Sequence, residues 1–187
     1  MEVIKPALTN LQAHRLLYCL VQLRYIPKKT NGESYSVPGL LRRYTPAHWD
    51  DYNSRDIREM CAEQILRTTC IICDEPMSKT TTGDHLIPLS RGGKEGLPNY
   101  IALCKSHNSS KGAKDFVEWW TGKGWKLEQS HPDVLCMYTR LRYQLCRDSN
   151  ILDFAAPDYL VEALRSEILN QPGPDRKAIL ISSGLST

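Results

Sequence analysis

Two short-spaced ligand pairs, Cys70-x2-Cys73 and Cys104-x2-His107, constrain this chain more than any other feature. Tetrahedral zinc takes four soft or borderline ligands, and Cys3His is one of its usual sets. Two ligands with two residues between them can approach one ion from a tight turn. A second such pair, brought back after residues 74–103, closes the shell. A closed shell leaves no open position for substrate, so the spacing predicts a structural Zn2+ ion rather than a catalytic one. The chain has seven cysteines. Cys19, Cys61, Cys136 and Cys146 fall in apolar segments of helical character and read as small buried hydrophobes. In a reducing compartment, the spacing of the other three argues for metal rather than disulfides.

The segments around the pairs have a readable order. Residues 10–24 (NLQAHRLLYCLVQLR) carry leucines near a helical stripe. Residues 27–47 are rich in Pro, Gly, Ser and Lys and read as an irregular arm, and 50–67 reads as a helix. TTCIICDEPMSKTTTG is a short knuckle, followed by an extended stretch, DHLIPLS, and a loop opened by Arg91-Gly92-Gly93. A second short strand is expected at 98–103 and one helix at 108–120. Helices are expected again at 132–148, with Val134, Leu135, Tyr138, Leu141 and Leu145 on one side, and at 157–170. The last segment reads as an added strand or a disordered end. The fold class expected is α+β. The organisation expected is a mainly helical 1–66, a compact core at 67–121 and a helical 122–187.

Between the ligand pairs lie Asp84-His85, then Asn99, then Asn108. In the string GDHLIPLSRGGKEGLPNYIALCKSHNSSKGAKD, residues 83–115, these positions resemble the HNH, or ββα-metal, nuclease family. The likeness rests on the opening Asp-His, Pro88, the paired glycines, the central Asn before an apolar run, and the ligand pair entering a helix. It covers residues 70 to about 120 and is absent outside them. The resemblance implies a β-hairpin followed by a helix gripping one catalytic divalent ion, Mg2+ or Mn2+. It implies His85 as the general base, and neutral imidazole suits that task near neutrality. It implies Asp84, a hard oxygen donor, and Asn108 as protein ligands to the catalytic ion. Asn99 is implied to order the hairpin so that the base is aimed correctly. By the same likeness, the products are a 5′-phosphate and a 3′-hydroxyl.

The family name ends in His, and this chain offers His107 beside Asn108. Neighbouring helical residues point about 100° apart. If His107 served the catalytic ion, the zinc shell would keep only three cysteines. Giving His107 to zinc and Asn108 to catalysis completes both sites, which makes the chain an H-N-N variant.

The formal net charge is +3, too mildly basic to establish a nucleic-acid partner by itself. Basic residues do recur in stripes: Lys28-Lys29, Arg42-Arg43, Arg140 and Arg142. Lys111 and Lys114, one helical turn apart, are candidate phosphate contacts, as are Arg91 and Lys94 in the hairpin loop. Trp119, Trp120 and Trp125 are expected to pack the catalytic helix against its flanks rather than to stack on bases. No apolar run approaches the roughly 20 residues needed to span a bilayer. No secretory signal is read at the start, so a soluble, cytoplasmic protein with no membrane partner is expected. The leading functional expectation is a site-specific, restriction-type double-strand DNA endonuclease, for which a symmetric homodimer would suit a palindromic site. A phage or mobile-element nuclease, a low-specificity effector nuclease and a non-catalytic zinc module docking on nucleic acid remain open from the sequence.

Overall fold

The apolar stripes of the flanking segments and the short apolar runs of the middle segment need a common interior. The computed structural model describes residues 8–25, 66–77, 83–96 and 99–169 and shows that interior. Leu8, Leu16 and Leu17 from the first segment join Cys70, Leu86, Ile87 and Ile101 from the middle. Leu135, Leu160 and Leu164 from the last complete one continuous buried cluster. The described parts of all three segments therefore share one core.

Among the described residues there are five α-helices and a two-stranded antiparallel sheet, an α+β composition with a helical majority. Helix α1 is Asn10–Tyr25 and strand β1 is Asp84–His85. A 3-10 turn follows at Leu89–Arg91, then strand β2 at Tyr100–Ile101. Helices α2, Lys105–Lys111, and α3, Phe116–Gly122, come next. Helices α4, Pro132–Asp148, and α5, Asp158–Leu169, complete the described chain. The expected helix at 50–67 lies outside the described residues except at its end, as do the arm at 27–47, Cys61 and residues 170–187.

Two expectations needed revision. The apolar stretches at 84–90 and 98–103 form strands of only two residues each, paired Asp84 with Ile101 and His85 with Tyr100. Pro88 has no N–H to extend the ladder, and the chain turns into the 3-10 segment immediately after it. The single helix expected over 108–120 is two. Gly112, at φ 52° and ψ −139°, ends α2 in a conformation that other residues rarely adopt. Asp115 then starts α3 afresh, its carboxylate accepting from the Val117 N–H at 3.1 Å.

The flanks clamp together. The Asn10 and Leu11 N–H groups donate to Phe154 O (2.8 Å) and Leu152 O (2.9 Å), and the Ala156 N–H donates to Leu8 O (2.7 Å). The start of α1 is thereby stitched to the connection between α4 and α5. Helix α4 begins with Pro132 in its first turn, and His131 caps it by accepting from the Asp133 N–H. Cys136 and Cys146, both on α4, are buried as expected. No described helix is long and apolar enough to cross a membrane.

Candidate functional site

The knuckle at 68–77 is a tight loop closed by its own main chain. The Cys70 N–H donates to Glu75 O at 2.9 Å, the Asp74 N–H to Cys70 O at 2.9 Å, and the Met77 N–H to Thr68 O at 2.8 Å. Asp74 takes a positive φ of 55° to make the turn. The Ile71 N–H donates to Ala102 O at 3.0 Å, which docks the loop beside the residues leading into Cys104 and α2. The result gathers Cys70, Cys73, Cys104 and His107, whose ligand atoms all lie within 4.8 Å of one another. His107 Nδ1 stands 3.5 Å from Cys70 Sγ, 3.5 Å from Cys73 Sγ and 3.2 Å from Cys104 Sγ. Cys73 Sγ is 3.9 Å from Cys104 Sγ. These edges suit a tetrahedron about one zinc ion, with bonds of about 2.3 Å to sulfur and about 2.0 Å to nitrogen. Loss of solvation, and then the neighbouring sulfurs of Cys70 and Cys104, push the Cys73 thiol up to about 11. Three thiolates in this space need a cation to hold them together.

Asp84 and His85 form β1, one strand away from β2 and just ahead of the loop that Asn99 closes. One Asp84 oxygen accepts from the His85 N–H at 2.7 Å. Its other oxygen accepts from Lys111 Nζ at 3.0 Å. The Lys111 side chain is fully buried, whereas that of Asp84 is 19% exposed. The His85 side chain is half-buried, and its ring makes no hydrogen bond or ion pair among the described residues. A ring left uncommitted in this way is open to a water or a substrate.

Asn99 is buried and makes three hydrogen bonds through its side chain. It accepts from the Ile87 N–H at 2.8 Å and donates to Ile87 O at 2.8 Å and to Lys94 O at 2.9 Å. Its own carbonyl accepts from the Leu86 N–H at 2.9 Å. The hairpin loop is thus tied across its width immediately after His85. Gly93 permits the closure. A Cβ there would stand 1.9 Å from Ile87 O and 2.8 Å from Asn99 Nδ2, so no other residue fits without moving the loop.

Helix α2 carries His107, Asn108 and Lys111. Its His107 ring meets the three sulfurs, and Lys111, one turn beyond Asn108, meets Asp84. Asn108, half-buried, lies on α2 between His107 and Lys111, one turn before the residue that meets Asp84. The helix therefore reaches both clusters, through His107 and through Lys111.

The four candidate phosphate contacts differ in their surroundings. Arg91 is ion-paired with Glu118. Lys94 is ion-paired with Asp148 at 2.9 Å. Lys114 is exposed and makes no ion pair among the described residues. Lys111 faces inward onto Asp84 rather than outward to solvent, and Lys114 lies beyond the end of α2, so the two do not share a helix face. The tryptophans pack. Trp119 and Trp125 stand 6.1 and 6.3 Å from the His107 ring. Trp119 Nε1 donates to Ser110 Oγ at 3.1 Å, and Trp120 Nε1 to Lys126 O at 2.7 Å. They brace the ligand-bearing helix against α3 and the turn after it.

Residues 70–115 match a family model described as HNH endonuclease. Nothing among the curated proteins and nothing among the solved structures matches this chain. The matched segment begins at the first cysteine of the knuckle and ends at the residue that caps α3. It therefore contains both side-chain clusters. The match suggests a nuclease, and with it a nucleic-acid substrate.

Proposed function

We propose, from the match of residues 70–115 to the HNH endonuclease family, that this chain is a divalent-metal-dependent DNA endonuclease built on a ββα-metal core. The observation that carries the reading is the Lys111–Asp84 contact at 3.0 Å. It holds α2, the helix that carries Asn108, to the strand that bears Asp84 and His85. An aspartate carboxylate and an asparagine amide are hard oxygen donors suited to Mg2+ or Mn2+.

In this reading Asp84 and Asn108 would hold the ion, which would offset the negative charge gathering on the phosphate and on the departing oxygen. His85 accepts a proton from a water molecule. The water oxygen bonds to phosphorus as the P–O3′ bond breaks, and the 3′ oxygen leaves and takes up a proton from solvent water, while His85 later returns its proton to solvent. The products are a 5′-phosphate and a 3′-hydroxyl. Asn99 acts indirectly, by tying down the loop that follows His85. Cys70, Cys73, Cys104 and His107 hold a structural zinc that fixes α2 against the knuckle.

The substrate proposed is double-stranded DNA, cut at specific sites by a symmetric dimer in the manner of a restriction enzyme. Supporting specificity is the architecture. Helices α1, α4 and α5 lie outside the matched segment yet share its core, so they can present a recognition surface held rigidly to the catalytic residues. The test is digestion of a plasmid by zinc-loaded protein with Mg2+, with chelator and as His85→Ala. Discrete bands carrying 5′-phosphate ends, lost in both controls, are expected. A smear would refute site specificity, and DNA binding without cleavage by the unaltered protein would refute the enzyme.

A further inference from the structure

Lysine is rarely buried completely, and when it is, a specific partner balances its charge. Lys111 has no exposed side-chain surface. Its ammonium makes one ionic contact among the described residues, to Asp84 Oδ2 at 3.0 Å. The other Asp84 oxygen is held at 2.7 Å by the His85 N–H. Both carboxylate oxygens are therefore engaged by donors belonging to the chain itself.

We propose that Lys111 is a resident counter-ion for Asp84, a positioning residue that keeps this carboxylate oriented and neutralised and that weakens its hold on a divalent cation. The inference rests on the reading of Asp84 as a metal ligand. A divalent ion approaching Asp84 would meet a fixed positive charge 3.0 Å from one of the carboxylate oxygens. It must share an oxygen whose lone pair already accepts a hydrogen bond. Like charges at such a distance repel strongly even at an effective dielectric of about 20. The helix leaves Lys111 little freedom to retreat, because the start of its side chain is fixed one turn from the His107 ligand. The carboxylate meanwhile never stands as an uncompensated buried charge.

The consequence separates this role from simple structural support. Removing a merely structural side chain loosens a site and weakens metal binding. Removing a counter-ion tightens it. The experiment is direct Mn2+ binding to full-length, zinc-loaded protein, followed by the electron paramagnetic resonance of free Mn2+, for the unaltered chain, Lys111→Gln, Lys111→Arg and Asp84→Asn. Lys111→Gln is expected to bind Mn2+ on the order of tenfold more tightly, while Lys111→Arg, which keeps the charge, stays within about threefold of the unaltered chain. Unchanged or weaker binding by a folded Lys111→Gln overturns the proposal. Should that variant not fold, a tenfold gain in Lys111→Arg would overturn it instead. Asp84→Asn tests the underlying reading separately. If it binds Mn2+ as well as the unaltered chain, Asp84 is not a ligand and the metal assignment fails whatever Lys111 does.

Discussion

Asn99 holds Ile87 by both of its main-chain groups, accepting from the N–H at 2.8 Å and donating to the carbonyl at 2.8 Å. A third bond, to Lys94 O, closes the loop on its far side. In Asn99→Ala all three groups lose their partner, the two on Ile87 at buried bonds. Each unsatisfied buried group costs about 1–3 kcal/mol, so a total loss of about 3 kcal/mol is expected in urea denaturation. Asn99→Asp should be at least as damaging, because an acceptor would then face two carbonyl oxygens. If the alanine variant loses under about 1 kcal/mol, the loop is held by something else.

The two ligand pairs were legible because each is local: two residues in one turn need no tertiary information to be read as a unit. Asp84, His85, Asn99 and Asn108 were singled out through resemblance over one contiguous segment. The break between α2 and α3 was not, since Phe116, Val117, Trp119 and Trp120 continue an apolar pattern that helical periodicity carries across Gly112. Only the backbone shows that the glycine leaves the helical region and that Asp115 restarts the count. Lys111 was misread for a related reason. A lysine on a helix is usually solvated, and its burial depends on Asp84, 27 residues earlier in the chain. The pairing of Arg91 with Glu118 and of Lys94 with Asp148 was equally out of reach, being set by how α3 and α4 pack on the loop.

Zinc removal should unfold more than the knuckle. Cys70 and Cys104 belong to the same buried cluster as Leu86, Phe116 and Trp119, and His107 sits against Trp119 and Trp125. Binding energy at a closed site is folding energy. Chelation under reducing conditions is expected to lower the melting temperature and to change tryptophan fluorescence in the same transition, with recovery on adding back Zn2+. Unchanged melting after verified metal loss would contradict a structural role.

His14 should make the protein acid-sensitive. Its side chain is buried on α1, edge-on to Tyr143, and neither ring nitrogen has a hydrogen-bond partner among the described residues. Burial first, and the nearby Arg142 guanidinium second, lower its pKa from 6.5 to about 3. The unfolded chain therefore takes up a proton below about pH 6.5 that the folded chain refuses until about pH 3. Stability is lost as pH falls through that window, at up to about 1.4 kcal/mol per pH unit. Between pH 6.5 and 5 the loss from this residue is about 2 kcal/mol at most. His14→Phe keeps the ring and removes the titration, so its stability should fall less over that interval. The comparison between the two proteins cancels the acid sensitivity of the zinc site, which both share. Parallel pH profiles would show that His14 is not the sensor.

Lys114 and Lys94 should differ in their contribution to DNA binding although both are lysines near the same hairpin. Lys114 is exposed and unpaired among the described residues, whereas Lys94 is bonded to Asp148 at 2.9 Å. A free ammonium that meets a phosphate releases one condensed counterion and steepens the salt dependence of binding by about 0.9 in the log–log slope. A lysine that must leave a carboxylate to reach the phosphate exchanges one ionic contact for another and leaves Asp148 near the DNA. Lys114→Ala should therefore flatten the slope by about one unit and weaken binding similarly on all sequences. Lys94→Ala should change it by clearly less. Titrations of a fluorescent duplex at several salt concentrations, with His85→Ala in the background to prevent cutting, measure both. Equal slopes for Lys114→Ala and its parent would remove Lys114 from the interface.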